Sequence, residues 1–202
     1  EAACTAAEVG CNVVLLEKEQ QVGGLSVQIS KIPAKTRLAD FPTYLKHRAE
    51  KLENLKIVTG VDATVDTVKG YHPDLVVNAT GSVPMLPPIE GLHENLQKDD
   101  AKVYCIHDMI DHLNDYPEDL TGKKVAVIGG GAVGLDVVEF FAPRGAEVTI
   151  VEMMGIIGNG LDASSTSSMN ECMEKYHVRK MVNTALTKVN ADSFEVKYDG
   201  KE

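Results

Sequence analysis

Apolar residues along this chain fall into short continuous runs, which are separated by stretches with a helical spacing of apolar positions. Runs of about four β-branched or leucine residues match strands that are buried in a parallel sheet. We predict strands at Val13–Leu16, Leu55–Val58, Leu75–Asn78, Val125–Ile128 and Val148–Val151. We predict helices at 41–53, 107–114, 135–142 and 163–176, and a hairpin over 186–198 that turns at 191–193. The pattern favours an α/β fold with Rossmann-like βαβ units, parallel sheets with helices on both faces and a small β-hairpin layer.

A glycine-rich loop joins one of these predicted strands to the helix that follows it. The loop carries the pattern G-x-G-x-x-G, with glycines at Gly129, Gly131 and Gly134. In this pattern the first glycine allows the tight turn, the second lets the backbone approach a pyrophosphate, and the third lets the helix pack closely on the strand. The N–H groups that open the helix, at Ala132 and Val133, lie at the positive end of its dipole and favour phosphate.

An acidic residue closes the next predicted strand. Glu152 lies 18 residues after Gly134, at the distance where a carboxylate accepts hydrogen bonds from an adenosine ribose. A strand, a glycine loop, a helix and an acid in this order favour a dinucleotide site. The alternative is a glycine-rich turn that binds nothing.

The acid also favours NADH over NADPH, because the Glu152 carboxylate would repel a 2′-phosphate. The residues after it, Met153 and Met154, provide no guanidinium for that phosphate. Arg144 and Arg179 are the two arginines in this half of the chain. Arg144 falls at the far end of the predicted helix, whereas Arg179 follows a later helix and is the one arginine that could approach the ribose.

The start of the chain repeats the back half of this unit. Gly10 aligns with Gly145 and Glu17 with Glu152, an offset of 135 residues in both pairs with no gap between them. The same offset places the counterpart of the glycine loop before residue 1. We therefore expect a fragment that carries two Rossmann units, the first without its glycine loop.

Composition narrows the class of partner. The net charge of −10 and the pI near 5.1 argue against nucleic acid and anionic membranes as partners. No apolar run approaches the roughly 18 residues of a spanning helix. The four cysteines contain no C-x-x-C pair, which fits the cytoplasm and offers no dithiol, zinc or iron–sulfur centre. The glycine loop and Glu152 favour small-molecule dinucleotides as partners instead.

Two tandem units of this kind resemble the two-dinucleotide-binding flavoproteins. Within them, the chain is most similar to the FAD/NAD(P)-binding C-terminal part of NADH:flavin oxidoreductases of the 2,4-dienoyl-CoA reductase and trimethylamine dehydrogenase group. The segments that carry the resemblance are Glu17, Val22–Leu25, Ile32–Lys35, Asp74–Gly91 and Val127–Asp136. The resemblance implies FAD contacts at Glu17, Gly23, Gly24, Ala79, Thr80 and Gly81. It implies NAD contacts at Gly129, Gly131, Ala132, Val133, Gly134, Asp136 and Glu152.

The same resemblance implies an organisation and a reaction. Residues 1–95 would form a partial FAD-binding domain, 96–121 a linker, and 122–202 a C-terminally truncated NAD(P)-binding Rossmann domain. NADH would pass a hydride to FAD, and electrons would continue to an upstream barrel that carries FMN and a 4Fe–4S cluster. Because the cofactors carry this chemistry, no catalytic residue and no metal ligand is assigned here, and the fragment alone is expected to be inactive. The alternative is a structural module that holds an adenine nucleotide without turnover.

Several side chains have two interpretations. His107, Asp111 and His112 could ligate a metal, although an acidic, solvated helix face explains them as well. Glu17 is either a ribose ligand or a plain carboxylate at a strand end. Asp136 is either a neighbour of the nicotinamide or an acid that the helix dipole stabilises.

Three further features have a structural and a functional interpretation. The run Ser164–Ser168 is either a flexible or phosphorylated linker or the capped start of a helix. Met153 and Met154 form either a soft-ligand site or a loop near the adenine. Cys4 and Cys11 are expected to be thiols of the core.

Overall fold

The computed structural model describes residues 1–98, 100 and 102–199. The chain divides into two compact units, Glu1–Pro84 and Met85–Glu202. The assignment of residues 1–95, 96–121 and 122–202 to an FAD domain, a linker and an NAD(P) domain stays a prediction.

The first unit is built on a pair of parallel strands. Its elements are α1 (Ala2–Glu8), β1 (Val13–Leu16), α2 (Gly24–Ile29), a 3-10 helix (Pro33–Ala39), α3 (Asp40–Ala49), β2 (Leu55–Val58) and α4 (Val65–Lys69). Strands β1 and β2 are in register from Val13 opposite Leu55 to Leu16 opposite Val58. The Arg48 guanidinium on α3 bonds Glu8 (2.6 Å) and Glu1 (2.8 Å), which ties α3 to α1.

Two predictions for this unit are wrong. Leu75–Asn78 is not a buried strand, since it has no regular secondary structure and the Leu75 side chain is 81% exposed. An apolar run becomes a strand only where a neighbouring edge offers backbone partners. Within the described residues, the sheet of this unit contains β1 and β2 only. Cys11 is exposed in the turn before β1, whereas Cys4 is buried as predicted.

The second unit combines a parallel sheet with a hairpin. Its elements are α5 (Leu92–Leu96), α6 (Ile106–Asp111), a 3-10 helix (Leu113–Asp115), β3 (Lys124–Ile128), α7 (Ala132–Phe141), a 3-10 helix (Ala142–Arg144), β4 (Glu147–Val151), α8 (Ala163–Lys175), β5 (Arg179–Met181), β6 (Thr184–Val189) and β7 (Phe194–Tyr198). The sheet order is β3-β4-β5, all parallel, and β6 pairs antiparallel with β7. The predicted α/β fold with Rossmann-like parallel sheets and a small hairpin is confirmed.

Strand β4 lies in the middle of its sheet, and the core of the second unit forms around it. Ile150 and Val151 on β4 are 0% and 1% exposed, and Leu135 and Val138 on α7 are 1% and 0% exposed. This burial explains why the run in β4 is continuously apolar, although burial alternates along β3. It also fixes the N-terminus of α7 at the carboxyl ends of the strands, where open α/β sheets bind their ligands.

The segment before α5 is bound to the hairpin of the same unit. The Val189 N–H donates to the Glu90 carbonyl (2.8 Å), and the buried Asn95 amide donates to the Val189 carbonyl (3.1 Å). The Lys188 ammonium also pairs with the Glu90 carboxylate at 2.7 Å. These bonds place residues 90–95 with the second compact unit.

Helix α8 begins where the serine run predicts, but a different residue caps it. Asp162 is the N-cap, and its carboxylate accepts hydrogen bonds from the N–H groups of Ser164 (2.9 Å) and Ser165 (3.0 Å). The serines therefore occupy the first turn of the helix. Among the described residues, no helix combines the length and apolar content needed to cross a bilayer.

Candidate functional site

The glycine loop leaves β3 at the carboxyl edge of the sheet. Gly129 has φ +98°, a left-handed conformation that glycine adopts without strain, and its N–H donates to the Val151 carbonyl (2.8 Å). Gly131 is the N-cap of α7. A Cβ at Gly134 would lie 1.9 Å from the Gly129 carbonyl oxygen. The turn and the close approach predicted for Gly129 and Gly134 are thus both present in the local geometry.

The outer side of the loop is open. A Cβ built at Gly131 would meet no atom within 4 Å, and Gly131, Ala132 and Val133 are all exposed. The first N–H groups of α7 have no partner within the helix, and they lie at the positive end of a ten-residue helix dipole. Backbone donors exposed at such a helix end suit the diphosphate of a dinucleotide.

The Glu152 carboxylate lies beside this loop and is 9% exposed. Its Oε2 accepts from the Gly130 N–H at 2.7 Å, and its Oε1 accepts from the Met154 N–H at 2.7 Å. An ionised carboxylate has about four acceptor positions, so about two remain for other donors. The predicted partners, Glu152 and the glycine loop, therefore meet, and the acid retains capacity for ribose hydroxyls.

Apolar side chains surround the exposed edge of this site. Ile128 and Val133 are 48% and 55% exposed, and Met153 and Ile156 on the following loop are 74% and 58% exposed. Asp136 lies one turn into α7 and is half-buried. Its place beside the nicotinamide stays a prediction.

The residues implied as FAD contacts form three separate sets in the first unit. Glu17 follows β1 and accepts the Glu19 N–H (3.0 Å). Gly23, with φ +129°, is the N-cap of α2, and a Cβ there would lie 2.4 Å from a methyl group of Val27. Gly24 opens the helix with φ +53°.

The third set lies in the exposed segment after α4. The Asn78 side-chain oxygen accepts from the N–H (3.3 Å) and the hydroxyl (3.0 Å) of Thr80, which forms a local turn. Ala79 is exposed between them, and Gly81 follows with φ +76°. Among the described residues, no hydrogen bond joins this turn to Glu17 or to the Gly23–Gly24 pair.

The sequence profile of the family described as pyridine nucleotide-disulphide oxidoreductase matches residues 1–202. The chain belongs to the pyridine nucleotide-disulphide oxidoreductase family. Binding of FAD and NAD(H) is typical of this family, and the predicted resemblance to the FAD/NAD(P)-binding part of NADH:flavin oxidoreductases is confirmed.

Longer relatives show where such a chain occurs. A bilirubin reductase from Mediterraneibacter gnavus is 33% identical over 195 residues, which cover 96% of this chain and 28% of that protein. An NADH oxidase from Thermoanaerobacter brockii is 31% identical over 189 residues, covering 94% and 28%. The structure of a 2-naphthoyl-CoA reductase complex with 2-naphthoyl-CoA matches with a TM-score of 0.82 at 28% identity, covering 99% of this chain and 28% of that one. The chain thus spans less than a third of the length of these pyridine nucleotide-disulphide oxidoreductase relatives.

The candidate metal ligands and the cysteines form no further site among the described residues. His107 and Asp111 lie on α6 and His112 at its C-cap, and within the described residues no group of three or more potential ligands is arranged for a metal. Asp108 caps α6 instead, accepting the Cys105 N–H (2.9 Å), and hydrogen bonds from Cys105 lower the pKa of this carboxyl. All four cysteines are free.

Sequence reasoning missed one member of the site. Gly130 occupies the first variable position of G-x-G-x-x-G, yet it is buried and bonds both Glu152 and the loop after β4, whose Gly158 N–H donates to the Gly130 carbonyl (2.7 Å). Two signals could have revealed it. One is a glycine where the pattern demands none, and the other is the cluster Gly155, Gly158 and Gly160 shortly after Glu152.

Proposed function

We propose that this chain is the dinucleotide-binding part of a flavin-dependent oxidoreductase that takes a hydride from NADH. The observation that supports the proposal best is the complete strand–glycine loop–helix in the second unit, with the buried Glu152 carboxylate beside it. The names of two relatives, an NADH oxidase and a bilirubin reductase, agree with a reductive role. The three spatial requirements of dinucleotide binding, namely a turn, an open backbone and a ribose acceptor, meet here in one place.

In this proposal the residues of the second unit bind and orient NADH. The exposed N–H groups of Gly131–Val133 hold the diphosphate, and the missing side chain at Gly131 allows it to approach the backbone. The remaining acceptor positions of Glu152 hold the adenosine ribose hydroxyls. Asp136, further along α7, is proposed to lie toward the nicotinamide end.

The residues of the first unit fit the adenosine side of FAD. Glu17, directly after β1, is proposed to accept hydrogen bonds from the ribose, and Gly24 and the Ala79–Gly81 turn offer exposed backbone. When bound, FAD supplies the flavin that accepts the hydride and passes electrons on.

The final electron acceptor is proposed to lie in another part of the protein. Because the chain covers 28% of relatives such as the bilirubin reductase, those proteins have room for the expected barrel with FMN and a 4Fe–4S cluster. Four free cysteines agree with the proposed cytoplasmic location.

Anaerobic mixing of the intact protein with NADH tests the proposal. We expect the absorbance of oxidised flavin to bleach in proportion to the NADH added, and Gly131→Ala to slow the bleaching at low NADH, because its methyl group enters the space for the diphosphate. Tight NADH binding without bleaching would identify a nucleotide-holding module instead. Absence of NADH binding would overturn the proposal as a whole.

A further inference from the structure

Gly130 is buried, and both of its backbone polar groups are hydrogen-bonded. Its N–H donates to Glu152 Oε2 (2.7 Å), and its carbonyl accepts from the Gly158 N–H (2.7 Å). A Cβ at this position would lie 3.1 and 3.2 Å from the two γ-carbons of Ile157, closer than nine in ten Cβ contacts, and 3.4 Å from the Glu152 Cβ. Its φ lies outside the left-handed region, so space and not backbone conformation requires the glycine.

Residues 153–160, named the strap here, make these contacts as they return from the end of β4. The start of the strap is fixed where the Asn183 N–H donates to the Met154 carbonyl (3.0 Å) and the Met154 N–H donates to Glu152 Oε1 (2.7 Å). Gly158, near its far end, lies beside α7, since a Cβ there would lie 3.8 Å from the Leu135 side chain. The strap is therefore held at the sheet and at the helix, with the glycine loop between.

We propose that the strap is a positioning element for the dinucleotide. Ile157 and Gly158 hold the Gly130 peptide, so that the N–H groups of Gly131–Val133 already face the diphosphate before it binds. This inference rests on the proposed function and adds a determinant outside the glycine loop itself. A loop that is ordered in advance does not lose conformational freedom on binding, which preserves affinity.

A double-mutant cycle measures the contact. Gly130→Ala is expected to weaken NADH binding about tenfold, because the added methyl group pushes against Ile157 and displaces the loop. Ile157→Ala alone loosens the strap, and we expect it to reduce NADH affinity less than Gly130→Ala does. In the double variant the methyl at 130 occupies the space that the Ile157 γ-carbons leave, so we expect a loss smaller than the product of the two single losses.

Three controls belong to the same cycle. Ile157→Val keeps both γ-carbons, so it is expected not to rescue Gly130→Ala. Gly131→Ala adds a methyl group into open space, so its loss of NADH affinity is expected to multiply independently with that of Ile157→Ala. Asn159→Ala, at an exposed position further along the strap, is expected to leave NADH affinity unchanged. Thermal melting of each variant confirms that it folds.

Hydrogen exchange without ligand separates this inference from the proposed function. In the intact protein, Ile157→Ala is expected to speed the exchange of the loop amides 130–133, and Asn159→Ala is not. ADP-ribose contains the same diphosphate, so its affinity is expected to fall in parallel with that of NADH across the variants of the cycle. If wild type binds both ligands but the losses multiply independently and exchange is unchanged, the strap has no positioning role. If wild type binds neither ligand, the proposed function fails, and the positioning role fails with it even where exchange shows that the strap holds the loop.

Discussion

Glu152 has two roles at the scale of a single residue. Its two oxygens each accept one backbone N–H from within the protein, and the proposed ribose would use the acceptor positions that remain. Truncating it would leave the Gly130 N–H without its partner in a buried position, which is costly. The acid is therefore expected to shape the loop and to select the nucleotide.

The first prediction concerns NADH and NADPH. A 2′-phosphate brings about two negative charges, and one pair of like charges about 4 Å apart costs about 4 kcal/mol at an effective dielectric of 20, before water and salt weaken it. We expect wild type to prefer NADH by at least about tenfold, a difference of about 1.4 kcal/mol. Glu152→Ala is expected to reduce the ratio of NADH affinity to NADPH affinity and to weaken the binding of both cofactors. Titration of both nucleotides into both proteins measures it.

An arginine near the ribose could favour NADPH by binding its 2′-phosphate, and the second unit contains two arginines. Arg144 lies over the Phe140 ring at 3.8 Å and donates to the Phe140 carbonyl (2.6 Å). Arg179 pairs in register with Thr149, two residues before the carboxyl end of β4. Equal affinity for NADH and NADPH in wild type would show that Glu152 does not discriminate, and Arg179→Ala would then be the variant to titrate.

Gly134 gives a second prediction at this scale. The Cβ of Gly134→Ala would lie 1.9 Å from the Gly129 carbonyl oxygen, and backbone cannot move aside as a side chain can. We expect a loss of about 3 kcal/mol in the free energy of unfolding. Gly131→Ala is the matched control, because its methyl group meets no atom, and we expect a change within about 0.5 kcal/mol. Chemical denaturation of both variants decides the point; equal stabilities would contradict the close approach.

At the scale of elements, the cap of α8 carries a pH-dependent contribution. Hydrogen bonds from the Ser165 hydroxyl and backbone lower the pKa of the Asp162 carboxyl from its ordinary value of 3.8. Since the pKa is lower in the folded state, the stabilisation is complete above the ordinary pKa and is lost as pH falls through the lowered one. We expect Asp162→Ala to lower the melting temperature at neutral pH, and the difference from wild type to shrink as the pH falls below 3.8.

Asp162→Asn is the control for this prediction. Asparagine is also a favourable N-cap, so this variant is expected to keep most of the stability at neutral pH and to remove the pH-dependent part. Melting curves of the three proteins between neutral and acidic pH provide the measurement. A constant difference between wild type and Asp162→Ala at every pH would show that the carboxylate charge does not contribute.

Helices, strands and loops could be predicted from the sequence where the residues that determine them lie close together along the chain. The glycine loop, β3, β4 and the hairpin follow from turn residues, apolar runs and a helix start that lie within a few residues of one another. Leu75–Asn78 has an equally apolar pattern, but a strand also needs a neighbouring edge, which no local pattern encodes. The strap was missed for the same reason, because the contact of Ile157 with Gly130 joins segments that are distant in sequence.

At the scale of the whole molecule, the repeat predicted from sequence recurs in structural detail. Gly10 and Gly145 have φ of +98° and +88°, and each donates its N–H to the alanine three residues earlier, at 3.0 and 3.1 Å. Glu17 and Glu152 each accept the N–H two residues later, at 3.0 and 2.7 Å. Each unit therefore contains the same series of features, namely a helix end, a turn, a strand and an acid, which agrees with the predicted repeat.

The difference between the halves gives the last prediction. The glycine loop of the second half lies at 129–134, whereas residues 1–95 contain no second G-x-G-x-x-G. We expect the chain of 202 residues to bind NADH but to hold FAD weakly or not at all, because Glu17, Gly24 and Gly81 alone do not replace the N–H groups of a glycine loop. Purification of the chain in the presence of FAD, followed by release and quantification of the flavin, measures the ratio of flavin to protein. NADH binding to the same preparation is the control, because it shows that the second half is folded. Stoichiometric flavin on the 202-residue chain would contradict the expected weak FAD binding. The Ala79–Gly81 turn would then be the candidate site for the FAD diphosphate.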